Sequence, residues 1–240
     1  MKINLCYFVF GIGIATTCAF PVVGQNQPRT AGKIRVACIG DSTTQGAGAE
    51  DKATQSYPAQ LQTMLGDRYE VMNFGVGSCT LIRKGHPNVW RTLERIKAGN
   101  VNPDIVVVSL GINDTCGGSR KCWNHKDDFP GDYRDLVEQL SALPSKPRIW
   151  LCAPTPMVVE APGVEAKRRK DLQERGPRLQ ELIGHIKAIV KEKQLGFIDL
   201  NTPLAGKPEF FTDGVHMNKD GYRAVAAIVA RELQSQGSKK

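Results

Sequence analysis

An α/β fold, with a parallel sheet covered on both faces, is what this sequence predicts. Three observations carry the prediction. Five short apolar runs alternate with helical patterns, as parallel strands joined by helical crossovers do. One of them, "DIVVVSLG", is apolar almost throughout, as a strand buried on both faces should be. The polar stretches able to do chemistry all come just after strands.

In chain order, the first strand is read at Lys33–Ile39 and runs into "IGDSTTQG", which puts Ser42 just past its end. The second, Tyr69–Val76, ends in "NFGVGS". The third, Asp104–Leu110, leads into "GINDT", Gly111–Thr115, and the fourth is Arg148–Ala153. Leu179, Leu182, Ile183, Ile186, Ile189 and Val190 then recur at helical spacing. His185 falls beside that stripe and reads as a boundary residue. The fifth strand, Leu195–Leu200, precedes "DGVH", Asp213–His216, and a last helix marked by Tyr222, Val225, Val229 and Leu233. No repeat or linker interrupts this span. Open parallel sheets bind ligands outside the carboxyl ends of their strands, so the four polar stretches converge on one rim.

The 240 residues, 41% hydrophobic and 23% charged, suit one domain better than two. Lys2, an apolar run to about Val23 and the tail "PVVGQNQPRTAG" describe a secretory signal cleaved near Gly24. The reading is therefore a leader at 1–24, one domain at 33–236, and a secreted or periplasmic product. The alternatives are an uncleaved anchor, or a lipoprotein through Cys18. Of seven cysteines, five lie beyond the leader. Cys38 and Cys152 read as buried strand residues. Cys116 and Cys122 flank a short polar loop and are expected to pair in an oxidising compartment. No Cys/His cluster has metal-ligand spacing, so no metal is expected. The net charge of +8 owes much to "KRRK", Lys167–Lys170, and to the terminal "SKK", read as a solvated helix start and a frayed tail. Aromatics do not interleave with the basic residues, so no nucleic-acid partner is expected. A membrane partner after cleavage is not expected either, and the oligomeric state stays open.

A serine hydroxyl is a poor nucleophile until a base takes its proton. Among four histidines His216 is best placed, because Asp213 three residues earlier can fix its tautomer and stabilise the imidazolium. Ser42, His216 and Asp213 then supply nucleophile, base and orienter. A developing oxyanion would find donors in the Ser42 and Gly75 N–H groups and the Asn113 side chain. Gly75 lacks a side chain and lets a substrate approach its amide. Taken alone, "DGVH" reads equally as a loop near a helix cap, and "ND" as a turn start.

Four blocks in order, "GDS" at Gly40–Ser42, Gly75, "GxND" at Gly111–Asp114 and "DxxH" at Asp213–His216, resemble the SGNH branch of the GDSL esterases and lipases. The resemblance spans nearly the whole chain after the leader. It implies a flavodoxin-like three-layer α/β/α fold with a five-stranded parallel sheet in order 2-1-3-4-5. It implies ester hydrolysis through an acyl-enzyme without a cofactor, with Ser42, Asp213 and His216 catalytic and Ser42, Gly75 and Asn113 forming the oxyanion hole. Thr43 stands where the "GDSL" pattern has leucine, which leaves the subfamily open. The stretch from Asn113 to Leu140 resembles SGNH proteins acting on acetylated carbohydrates. Asp41, Trp123 and His125 are then candidate substrate contacts, Trp123 either stacking a sugar or packing its loop. The expectation is an exported serine esterase taking short acyl, above all acetyl, esters on carbohydrates. A lysophospholipase or general short-chain carboxylesterase is the alternative, and a non-catalytic carbohydrate-binding relative the alternative from another class.

Overall fold

A computed structural model describes residues 32–235. The leader read at 1–24, Cys6, Cys18 and the terminal "SKK" lie outside the described residues.

The sheet is built from β1 (Ile34–Gly40), β2 (Tyr69–Gly75), β3 (Ile105–Ser109), β4 (Arg148–Ala153) and β5 (Gly196–Asp199). Its order is β2-β1-β3-β4-β5, and every pairing is parallel. Each expected strand is present, with ends shifted by at most one residue. Strand β3 shows why the apolar reading works. Its "IVVVS" is wholly buried, and β-branched side chains pack well on a pleated surface.

Alternate residues of the strands face two cores. Val36, Cys38, Ile105, Val107, Trp150 and Cys152 face one, closed by α3 (Tyr57–Leu65) and α7 (Lys219–Ser235). Ala37, Ile39, Val106, Val108, Ile149 and Leu151 face the other, closed by α4 (Trp90–Ala98) and α5 (Phe129–Ser141). The long α6 (Ala166–Lys193) serves both, giving Leu179 and Ile183 to the first core and Leu182, Ile186 and Ile189 to the second. Two single-turn helices, α1 (Ser42–Gln45) and α2 (Lys52–Gln55), follow β1. Helices on both faces of one parallel sheet make the three layers. No helix among the described residues is long and apolar enough to cross a membrane.

The register positions the site. Gly40 pairs with Gly75 on one side and Ser109 on the other. The segments leaving β2, β1 and β3 therefore emerge side by side. Tyr222 of α7 donates to the Ala47 carbonyl at 2.5 Å, which ties the loop after α1 to the last helix.

One expectation is corrected here. Cys116 and Cys122 are free thiols, not a disulfide. Arg120 separates their chemistry: its Nη1 reaches Cys116 Sγ at 3.9 Å, while Cys122 Sγ donates to the Arg120 carbonyl at 3.5 Å.

Candidate active site

Ser42 is the first residue of α1, and Asp41 caps that turn. Asp41 Oδ1 accepts from the Thr43 N–H and the Thr43 hydroxyl, both at 2.8 Å. Burial pushes the Asp41 carboxyl up, and the bonds from Thr43 pull the other way. At 1% exposure Asp41 cannot meet a substrate. Its expected role as a substrate contact gives way to a structural one: it fixes the turn that presents Ser42.

His216 sits in the loop between β5 and α7. Thr212 fixes its backbone, the N–H at 2.8 Å and the hydroxyl at 3.1 Å from the His216 carbonyl. Gly214 lets the loop close. Its φ is +81°, and a Cβ there would lie 2.4 Å from Leu172 Cδ1 and 2.6 Å from the Val158 carbonyl. The turn brings two backbone donors onto one carboxylate oxygen: Asp213 Oδ1 accepts from Val215 N–H at 3.0 Å and His216 N–H at 2.8 Å. Oδ2 faces the ring, 2.8 Å from His216 Nδ1, with Arg168 Nη2 at 3.9 Å. On the far side of the ring, Nε2 lies 2.8 Å from Ser42 Oγ.

A carboxylate only accepts, so Nδ1 carries the proton and Nε2 offers a lone pair to the Ser42 hydroxyl. Burial opposes ionisation of Asp213, yet the bonds from the ring and the two backbone donors outweigh it. The carboxyl therefore sits well below the usual range and stays charged.

The rim beside Ser42 departs from expectation at Gly75. Its N–H already donates to Asn73 Oδ1 at 2.9 Å. A Cβ at Gly75 would lie 2.1 Å from the Gln45 nitrogen and 2.6 Å from the Thr44 carbonyl carbon. The glycine is needed because α1 packs on the end of β2, not because a substrate approaches. The cleft is lined instead by Gly77 and Ser78, just beyond. Their N–H groups have no partner among the described residues, and Ser78 is held at a left-handed φ of 61°.

Asn113 does reach the cleft. Its Nδ2 gives one hydrogen to the Cys79 carbonyl at 3.1 Å and keeps the other. Arg120, which sequence reasoning missed, determines which end of the amide faces where. Its Nη1 donates to Asn113 Oδ1 at 2.9 Å and its Nη2 to the Ser78 carbonyl at 2.7 Å. One guanidinium thus fastens both donor segments. An arginine seven residues after the asparagine, in a glycine-rich loop, was the only signal available. Two further groups brace the turn. Asp114 accepts from the Leu81 and Ile82 N–H groups at 3.0 and 2.8 Å, and burial pushes its carboxyl up to about 6 against those bonds. Buried Arg175 of α6 donates to Thr115 Oγ1 at 3.0 Å and the Ile112 carbonyl at 2.9 Å.

Trp123 and His125 are not brought in; neither lines the cleft. The Trp123 ring packs against the second core, with Lys126 at 5.1 Å and Arg178 at 5.5 Å from its centroid. The half-buried ring packs its loop. Ser42, Asn113 and His216 open onto one cleft of about 770 Å³. Among the described residues no group of three His, Cys, Asp or Glu side chains could hold a metal ion.

A parallel α/β/α sandwich with this serine at its rim defines a class, and the sequence model of the GDSL-like lipase/acylhydrolase family matches residues 38–224. The chain belongs to that family. It is similar to an acetylxylan esterase of Xylanibacter ruminicola, 31% identical over 219 residues that cover 84% of this chain. The chain spans less than half of that relative, 43% of its length. Among solved structures, a carbohydrate acetylesterase of Sinorhizobium meliloti shares the fold at 20% identity and a TM-score of 0.68, over 85% of this chain and all of that one. An aryl esterase of M. smegmatis does so at 21% and 0.65, over 84% and 99% of the two chains.

Proposed function

We propose that this protein is an exported serine esterase that removes short acyl groups, above all acetyl, from carbohydrates. The observation that carries the reading is the unbroken chain of 2.8 Å contacts from Asp213 through His216 to Ser42, opening onto a cleft. Ser42 Oγ attacks the ester carbonyl carbon as its proton passes to Nε2. The carbonyl electrons collect on the oxygen, where the N–H groups of Ser42 and of Gly77 or Ser78 and the second Asn113 N–H can meet them. Collapse expels the alcohol, which takes the proton from Nε2. Water then attacks the acyl-enzyme by the same route and releases the acid and Ser42.

The acyl group is read as short because, among the described residues, Ala47, Ile112 and Val215 are the aliphatic side chains on the cleft wall. A long chain would need a broader apolar surface. The carbohydrate leaving group is supported by the acetylxylan esterase relative. Export rests on the leader read from the sequence.

The test is hydrolysis of p-nitrophenyl esters of increasing acyl length, beside acetate release from acetylated xylan. Activity should be greatest on acetate. Ser42→Ala should lower kcat by several orders of magnitude, about 10⁶-fold where such a nucleophile has been removed from a triad. Retention of more than about a tenth of turnover, a loss of only about 1.4 kcal/mol, would remove Ser42 from the mechanism.

A further inference from the structure

The "KRRK" run does more than start a helix. Lys167, Arg168 and Lys170 line the same cleft as Ser42 and His216, and Arg120, Arg175 and Arg178 join them. Six basic side chains thus share the lining with two acidic ones, Asp171 and Glu174, and Arg168 also lies 3.9 Å from the Asp213 carboxylate just outside it. Asp171 Oδ2 is shared between Arg168 at 3.0 Å and Arg175 at 3.1 Å. Glu174 lies 3.9 Å from Arg178. Lys167 and Lys170 are exposed and have no ion-pair partner among the described residues. Arg120 spends its donors on carbonyls, an amide oxygen and a thiol, so its charge is not neutralised either. Glu165 is the N-cap of α6 but makes no side-chain cap bond, and the first turn itself carries no acidic residue, so the positive end of the helix adds in part to the same field.

We propose that the ester this cleft takes is itself an anion: an acylated carbohydrate bearing a carboxylate, as a uronic acid does, close to the acyl group. The inference rests on the esterase reading above and narrows its substrate. A cleft lined by one sign of charge concentrates ligands of the opposite sign, raising association about 10- to 10³-fold. A neutral ester gains nothing from such a wall. Two facts favour a sugar acid over an anionic lipid. Among the described residues the wall has three aliphatic side chains to seat a tail. The Gly117–Ser119 segment of the lining is small and polar and offers a lipid tail no apolar side chain. Arg168 also contacts the Asp213 carbonyl at 3.3 Å, so Lys167 and Lys170 are the residues free to read substrate charge without disturbing the orienter of His216.

The experiment compares two small esters that differ only in charge, the methyl glycosides of mono-O-acetylgalacturonic acid and mono-O-acetylgalactose, with p-nitrophenyl acetate alongside. The acid should be preferred in kcat/KM by about tenfold or more at low salt, falling towards parity in 0.5 M NaCl as the field is screened. Lys167→Gln/Lys170→Gln should shrink the acid-to-neutral ratio severalfold, a change that a general loss of folding would not produce. Equal rates, a preference indifferent to salt or to the double substitution, or turnover of p-nitrophenyl acetate with neither sugar would overturn the inference and leave the esterase reading standing. Failure of all three substrates would overturn both.

Discussion

Replacing Asp213 by asparagine tests the site through one proton. The two oxygens of Asp213 have different partners: Oδ1 takes the Val215 and His216 N–H groups, and Oδ2 takes the ring. Two backbone donors on one side force an asparagine to place its carbonyl oxygen there. Its NH₂ must then face His216 Nδ1, which can bond to it only as an acceptor. The ring's single proton moves to Nε2, where it points at Ser42 Oγ and can no longer receive the hydroxyl hydrogen. The perturbation leaves shape and packing intact and inverts the tautomer. An inverted tautomer of this kind costs about 10⁴ in kcat, about 5.4 kcal/mol of transition-state stabilisation. The assay is kcat and KM for Asp213→Asn on p-nitrophenyl acetate, with a thermal melt to show that the variant is folded. A folded variant within about tenfold of wild-type kcat would refute the assignment of Nε2 as the base.

Asn113→Ala should lower kcat by about 10²- to 10³-fold, roughly 2.7–4 kcal/mol, with little change in KM, since the donor acts mainly where charge develops; a loss under threefold would leave the oxyanion to backbone donors alone. Arg120→Met removes the clamp on both Asn113 and Ser78, and kcat should fall about tenfold while KM changes less; a fall confined to KM would make Arg120 a substrate contact and not a positioning residue. Asp114 predicts a pH effect on stability. Its folded carboxyl titrates at about 6, above its unfolded value, so the folded state binds more protons between about pH 4 and 6, and stability is lost as pH rises through that window. Relative to Asp114→Asn, the wild type should lose about 2 kcal/mol between pH 4 and 7, measured by denaturant unfolding; parallel curves for the two proteins would contradict the buried carboxyl.

The strands and the meeting of Ser42, Asp213 and His216 were readable, each for its own physical reason. An apolar run such as "IVVVS" is a buried strand wherever the sheet lies. Asp213 and His216 are three residues apart, so one turn suffices to join them. Their meeting with Ser42 followed from strand order, since ends of parallel strands share a rim. The oxyanion donors were not readable in the same way. Every residue but proline carries an N–H, and which ones are left unpartnered depends on the turn: Asn73 takes the Gly75 N–H, while Gly77 and Ser78 face the cleft. Gly75 itself invited the wrong reason, because the Gln45 backbone that requires a glycine there lies thirty residues away and packs against it only in the fold. Cys116 and Cys122 looked close enough to pair, but the guanidinium and carbonyl of Arg120 hold the two thiols to separate tasks. Composition announced the charge of "KRRK" and its exposure, and nothing in it said which way the run would face. That was decided by where α6 begins against the sheet, a long-range packing choice that turned the start of a solvated helix into one wall of the cleft.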